Sequence, residues 1–366
     1  MSDTAVLPEA LDQEARMGTP TGGEKKQKEL VSFDYRSADD TPTWGRELIE
    51  AQLAIDAEDA AHAGQLGFMA RAMVIATMPH KDPKIQTFFR KNGDFSLRMT
   101  AGAGAGLPYG IYPRLLLSWV TTEAVRRRSP VITIDESMAW FIKSVLGVNS
   151  STGGRSGTLT RITEQMKRLF GAMITAEYEL SDKRYTLNNV VIANELRLDK
   201  RELSRSWASA DPKSPDVAHS PARALWTPQQ EADVGKWYSH IELTQRFYDE
   251  IIASPVPIDL RAYRALRRSP LAMDVYTWLT FRMSYTRRRT RPIRWEGLQW
   301  QMGSGYPFTE QGTRDFKKAF LKALKATQTV YPEAQFEVAD HGLVLLPSAT
   351  SIKPKKLLGK PQQALF

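Results

Sequence analysis

Two stretches of this 366-residue chain have the residue types and spacing to grip a polyanion. Over 158–173, Thr158, Arg161, Gln165 and Arg168 fall on one stripe at 100° per residue, beside an apolar stripe of Leu159, Ile162, Met166, Leu169 and Met173. Arginine suits guanine or a phosphate, glutamine an adenine edge, and threonine a thymine methyl or a phosphate. Thr152-Gly153-Gly154-Arg155 precedes the stripe, and small residues there let the backbone approach a phosphate at the helix N-terminus. Any amphipathic surface helix carries a polar stripe. What favours groove reading here is the position of this one, third in a helix series and directly before a hairpin.

The second stretch is 313–327. Phe316, Phe320, Leu321 and Leu324 form its buried stripe, and Arg314, Lys318, Lys322 and Lys325 form another. Like charges at spacing four repel mildly, so a helix carrying four on one stripe is expected to meet an anion. The densest charge is TRRRTRPIR (286–294), with Arg287, Arg288, Arg289, Arg291 and Arg294. Arg261, Arg264, Arg267 and Arg268 lie nearby in sequence. Arginine clusters clamp phosphates bidentately, while a solvated loop is the plainer reading of such a run. Trp295 and Trp300 read as core residues, with stacking on bases as the alternative.

The chain closes on Gln362-Gln363-Ala364-Leu365-Phe366 after a stretch rich in Pro and Lys. Gln362, Leu365 and Phe366 fit the pattern Gln-x-x-Leu-Phe, two apolar anchors and one amide on a tether. Such peptides resemble the motif by which bacterial replication proteins dock on the sliding clamp. Enzyme signatures are missing. His62, His80, His219, His240 and His341 are widely separated, with no H-x-H and no H-E-x-x-H. There is no G-x-x-x-x-G-K-[ST] loop and no cysteine. The reading is therefore not an enzyme, with no catalytic residue, cofactor or metal. Asp340-His341-Gly342 reads as a tight turn.

Charge is unevenly spread. The formal net charge is +9, yet residues 1–60 hold 14 acidic and 6 basic residues, leaving the rest at +17. An acidic segment on a strongly basic body points to a nucleic-acid partner. No apolar run is long enough for a membrane span, and the N-terminus has no signal-peptide core, so a cytoplasmic protein without membrane attachment is expected.

The elements that must position these residues come from periodicity and turn chemistry. Asn92-Gly93 between two alternating runs predicts a hairpin. AGAGAGLP (101–108) reads as a flexible hinge. Then follow a helix from Pro113 to about Arg127, a strand at 131–135, a helix over 136–146, a turn at 149–157, the helix 158–173 and a hairpin through Ser181–Arg184. That order is the order of a winged helix. After the Pro/Ser/Ala-rich 208–228 it partly repeats: a strand over 241–254, helices 259–268 and 270–284, a strand and short helix in 292–303, helix 313–327 and a hairpin around Asp340. The expected fold is α+β, two tandem winged-helix domains with a disordered N-terminal segment and a flexible C-terminal tail. Its boundaries are 1–60 (acidic segment, with a sparse helix from Trp44 to Ala63), 61–207 (first domain with an extra N-terminal hairpin), 208–228 (linker), 229–350 (second domain) and 351–366 (tail).

Several stretches carry a family resemblance: FFRKNGDFSLRMTAG, LPYGIYPRLLLSWVTTEAVRRRSP, STGGRSGTLTRITEQMKRLF and DVYTWLTFRMSYTRRRTRPIRWEGLQWQMG. The LPYG-x-x-PR-L-L and TGGR-x-G motifs within them are the most specific. The chain resembles the RepA-type plasmid replication initiators of Gram-negative bacteria. The resemblance implies a nucleoid- or plasmid-associated protein that binds repeated origin DNA (iterons), helps open adjacent AT-rich DNA and recruits host partners, among them helicase, host initiator and sliding clamp. It also implies homodimers that repress their own gene beside monomers that bind the origin. A dimeric winged-helix repressor without initiator activity is the alternative.

Overall fold

The computed structural model describes residues 43–102, 104–134, 140–148, 157–181, 184–198 and 239–352. Most of the acidic segment (1–42), the turn carrying Arg155, the 208–228 linker, and the tail with Gln362, Leu365 and Phe366 lie outside the described residues.

The fold is mixed α+β. Its second half is built on α7 (Pro270–Tyr285), started by the Ser269 hydroxyl, which accepts from Ala272 N, and by Pro270 in the first turn. Its residues are buried nearly all round, including Leu271, Val275, Trp278 and Leu279, so α7 is a core helix. After it come β10 (Ile293–Arg294), α8 (Trp295–Met302), α9 (Glu310–Val330), β11 (Phe336–Ala339) and β12 (Gly342–Leu345). The three strands form one sheet in the order β10-β12-β11. Gly342 allows this closeness, since a Cβ there would lie 2.1 Å from Ile293 O. Asp340 and His341 make the tight turn expected of them, between the paired Ala339 and Gly342.

The first half has the same order with different pairing. Helix α3 (Ile111–Arg127) leads to β4 (Val131–Ile134), a π-helical turn (Phe141–Val145), α4 (Thr158–Gly171), and the hairpin β5 (Met173–Ser181) with β6 (Arg184–Val191). The hairpin β2 (Thr87–Asn92) and β3 (Phe95–Thr100) forms where Asn92-Gly93 predicts it, with Gly93 at φ +58°. It extends β5 and β6 into a four-stranded sheet, β2-β3-β5-β6. β4 instead pairs with β8 (Ser239–Leu243), which also pairs with β7 (Ala193–Arg197).

Three expectations need correction. The strand expected over 241–254 is β8 followed by α5 (Gln245–Ala253), because the Thr244 hydroxyl accepts from Phe247 N and starts a helix whose Phe247 and Ile251 are buried four residues apart. Through β8 and α5, the start of the expected second domain packs on the first half, against β4, β7 and α3. Ahead of the first hairpin stand β1 (Leu66–Met69) and the short α2 (Arg71–Ile75). Finally, the glycine run is packed at Gly102 and Gly106, while Gly104 stands in open space. A Cβ on Gly102 would lie 2.3 Å from Gly171 O, so the backbone lies against the end of α4.

The halves share one apolar core. β1 pairs antiparallel with β9 (Val256–Asp259), and α1 (Thr43–Ala57) packs on α6 (Leu260–Ala265) and α9. No described helix is long and apolar enough to cross a membrane.

Candidate nucleic-acid interface

Helix α4 presents less of its polar stripe than its spacing suggests. Arg161 is exposed, with no carboxylate partner among the described residues. Thr158 is buried. Gln165 is 5% exposed, and its Oε1 accepts from Tyr109 N at 2.9 Å. Arg168 is half-buried: its Nε donates to Glu164 at 3.3 Å, its Nη1 donates to Leu107 O at 3.3 Å, and its guanidinium lies 5.3 Å from the Tyr109 ring centroid. Gln165 and Arg168 thus clasp the Leu107–Tyr109 turn. Their stripe adjoins the apolar stripe, and the loop that covers it comes from 56 to 61 residues upstream, which periodicity cannot reveal.

The same turn opens LPYGIYPR, whose arginine explains the motif. Arg114 is 1% exposed. Its Nε and Nη2 donate to the two Asp274 carboxylate oxygens, each at 2.7 Å. Nη1 donates to Gly110 O and Pro79 O, and Nη2 to Met78 O. Gly110, at φ +79°, supplies the turn that brings its carbonyl to this arginine. His80 Nε2 lies 2.8 Å from Asp274 Oδ2. Burial pushes the Asp274 carboxyl up, but Arg114 and His80 outweigh it and hold it below the usual range. Burial holds the His80 imidazole below its usual value against the pull of Asp274, with Arg114 and Arg90 adding to the depression. His80 is therefore neutral at pH 7 and donates from Nε2. This cluster joins α3, α7 and the 78–80 loop, and sequence reasoning missed it. The long polar residues in otherwise apolar α3 and α7 were its only signal.

In the second half the cations stay outside. α9 is about 31 Å long, and Arg314, Lys318, Lys322 and Lys325 are all exposed on it. One acid joins the stripe: Glu310, 3.0 Å from Arg314. Lys317 lies 4.9 Å from the Trp295 ring centroid.

The arginine run is anchored along β12, where Thr290 N donates to Leu345 O and Thr290 Oγ1 accepts from Leu345 N, both at 3.0 Å. Arg287, Arg288, Arg291 and Arg294 are exposed with no carboxylate partner among the described residues. Arg289 meets Glu337 on β11 at 2.7 Å, which raises its pKa. Fixed main chain with exposed guanidiniums is an arrangement suited to phosphates.

The upstream arginines are engaged within the chain, Arg268 from an exposed position. Arg261 caps the end of α1 by donating to Ala54 O and Glu58 O while gripping Asp259. Arg264 donates to Gln65 and Val145 O, and Arg267 and Arg268 meet Glu47. Trp295 is buried, its Nε1 donating to Asp340 O. Trp300 is exposed and stacked on Phe308 at 4.1 Å.

The family model described as "Plasmid encoded RepA protein" matches residues 107–211 and 217–297, just over half of the chain. The chain belongs to the plasmid RepA family. The first matched segment includes Arg114, and the second includes Asp274 and the arginine run through Arg294. RepA-family membership makes this a plasmid replication protein. A crystal structure of domains 2 and 3 of RctB aligns over 73% of this chain and 87% of that one, at 10% identity and a TM-score of 0.39, too low to bear on the RepA fold. No curated protein matches.

Proposed function

We propose that this RepA-family chain is a plasmid replication initiator that binds repeated origin DNA (iterons) through two winged-helix units. The observation that carries the reading is the second unit. Its order α7-β10-α8-α9-β11-β12 is helix, strand, helix, helix, hairpin, with a basic stripe on the third helix and arginines along the strand that borders the hairpin. In this reading Arg314, Lys318, Lys322 and Lys325 face a major groove, and Arg287, Arg288, Arg291 and Arg294 take phosphates. In the first unit Arg161 reaches the bases, Arg155 a phosphate, and Thr158, Gln165 and Arg168 hold the helix in place. Two linked units would engage successive grooves on one face of the duplex, about 34–36 Å apart. Binding and bending energy would help open the AT-rich DNA. Gln362, Leu365 and Phe366 would bring in the sliding clamp, and helicase and host initiator would follow.

DNase footprinting beside the protein's own gene, at two salt concentrations, tests this. Evenly phased protected repeats that survive competitor DNA are the expected result. Unphased protection that vanishes with salt would reject it. A single palindromic site would favour the dimeric repressor. A chain cut after Lys360 should bind the repeats normally and fail to retain the clamp.

A further inference from the structure

A cavity of about 490 Å³ lies between α1, the start of α7 and α9. That falls within the roughly 300–1,000 Å³ of small-molecule sites. Leu48 (α1), Leu271 (α7), and Ala319, Ala323 and Ala326 (α9) supply an apolar wall. The alanines leave the room that larger side chains would fill. At its edge stand Lys81, Arg268 and Lys322, and no carboxylate is among the described residues that line it. Arg268 is paired with Glu47, whereas Lys81 and Lys322 are exposed with no ion-pair partner among the described residues.

A second observation gives the same sign. His80 also lines the cavity, and behind it lies the buried cluster. Beside Arg114 and Asp274 that cluster adjoins Arg90, which is 6% exposed, lies 4.3 Å from the Phe88 ring centroid, and has an Nε with no hydrogen-bond partner. Arg90 adds charge to it: two buried guanidiniums, those of Arg90 and Arg114, act on the single Asp274 carboxylate. Buried charge without a counter-ion is unfavourable, and an anion nearby relieves it.

We infer that this cavity is a binding site for a small anionic amphiphile, its aliphatic or aryl body against the alanine wall and its carboxylate or phosphate head between Lys81 and Lys322. An inorganic anion would leave the apolar wall empty, and a neutral apolar molecule would leave the cations unused. Lys322 also belongs to the α9 stripe assigned to DNA, so binding is measured without DNA and does not depend on that assignment.

The test is calorimetric titration of the full chain with octanoate, octyl phosphate, inorganic phosphate and octanol. The two amphiphilic anions should saturate one site, with phosphate and octanol at least about tenfold weaker, the scale of one charged hydrogen bond. Lys81→Ala with Lys322→Ala should weaken octanoate by about tenfold or more. Ala319→Leu, at a half-buried position, should abolish binding while leaving the circular dichroism spectrum unchanged, and Ala326→Leu serves if that chain does not fold. Pelleting with phosphatidylglycerol vesicles separates the sources: retention lost in Ala319→Leu assigns the head to a lipid, and no retention assigns it to a free molecule. Octanoate binding that is absent in the parent chain, matched by octanol, or unchanged in Ala319→Leu would overturn the inference.

Discussion

Arg114 and Asp274 meet as a two-point ion pair, Nε to Oδ1 and Nη2 to Oδ2, with side chains 1% and 7% exposed. They lie 160 residues apart. The pair is further held by His80 and three backbone carbonyls, so every guanidinium edge is occupied. It fastens α3 of the first half to α7 of the second at the point where the 78–80 loop passes.

Removing one partner leaves the other charged and buried. Arg114→Ala should destabilise the fold by about 3–5 kcal/mol. Arg114→Lys should recover only part of this, because an ammonium cannot reproduce the planar two-point grip. Urea denaturation measures both. A loss below about 1 kcal/mol for the alanine variant would refute the buried pair as a fastening.

The imidazole of His80 makes stability depend on mild acid. Its folded-state pKa lies below the usual value of about 6.5, so as pH falls below that value the unfolded chain takes up a proton that the folded chain refuses. Stability should hold above pH 7 and decline as pH falls from about 6.5 towards the lower folded value. Asp274 stays ionised in that window, since its own pKa is held below the usual carboxylate range. His80→Gln should flatten the decline between pH 7 and 5 in thermal melts. An unchanged slope would assign the acid sensitivity elsewhere.

Gln165 and Arg161 share a helix and should fail differently. Gln165→Ala leaves Tyr109 N without its acceptor and should cost about 1–3 kcal/mol of stability, with sequence preference on DNA retained. Arg161→Ala should leave stability within about 0.5 kcal/mol. It should lower the ratio of specific to non-specific affinity, by about 1–3 kcal/mol for one base-reading side chain. Parallel melting and competition binding separate the two, and a Gln165→Ala chain of full stability with relaxed specificity would reverse these roles.

The arginine run should act through phosphates. Replacing Arg287, Arg288 and Arg291 together by Ala should weaken all DNA sequences alike. The slope of log K against log salt should shrink by about 0.9 for each phosphate no longer neutralised. Arg289→Ala should have a smaller effect, because its guanidinium already serves Glu337. A salt slope unchanged in the triple variant would remove this segment from the interface.

Local order was legible from the residues alone. Asn92-Gly93 marks the β2–β3 turn, the helix expected over 270–284 is α7, and apolar stripes place α4 and α9 close to their observed limits. These features depend on neighbours within a turn or two, where backbone sterics, capping and periodicity act directly. The charge pattern likewise identified the second unit's exposed cations.

Only the tertiary structure decided which polar residues face solvent. Gln165 and Arg168 on α4, and Arg261 and Arg264 on α6, have residue types and spacing that would equally suit groove-facing side chains. They are occupied by segments from 56 to 207 residues away. The same holds for β8, which pairs with β4 and β7 of the first half, and for Arg114 and Asp274, each of which reads alone as a misplaced charge in an apolar helix. A buried polar group is tolerated only beside its partner, and the partner's position is a property of the packed chain, not of the stretch in which either residue stands.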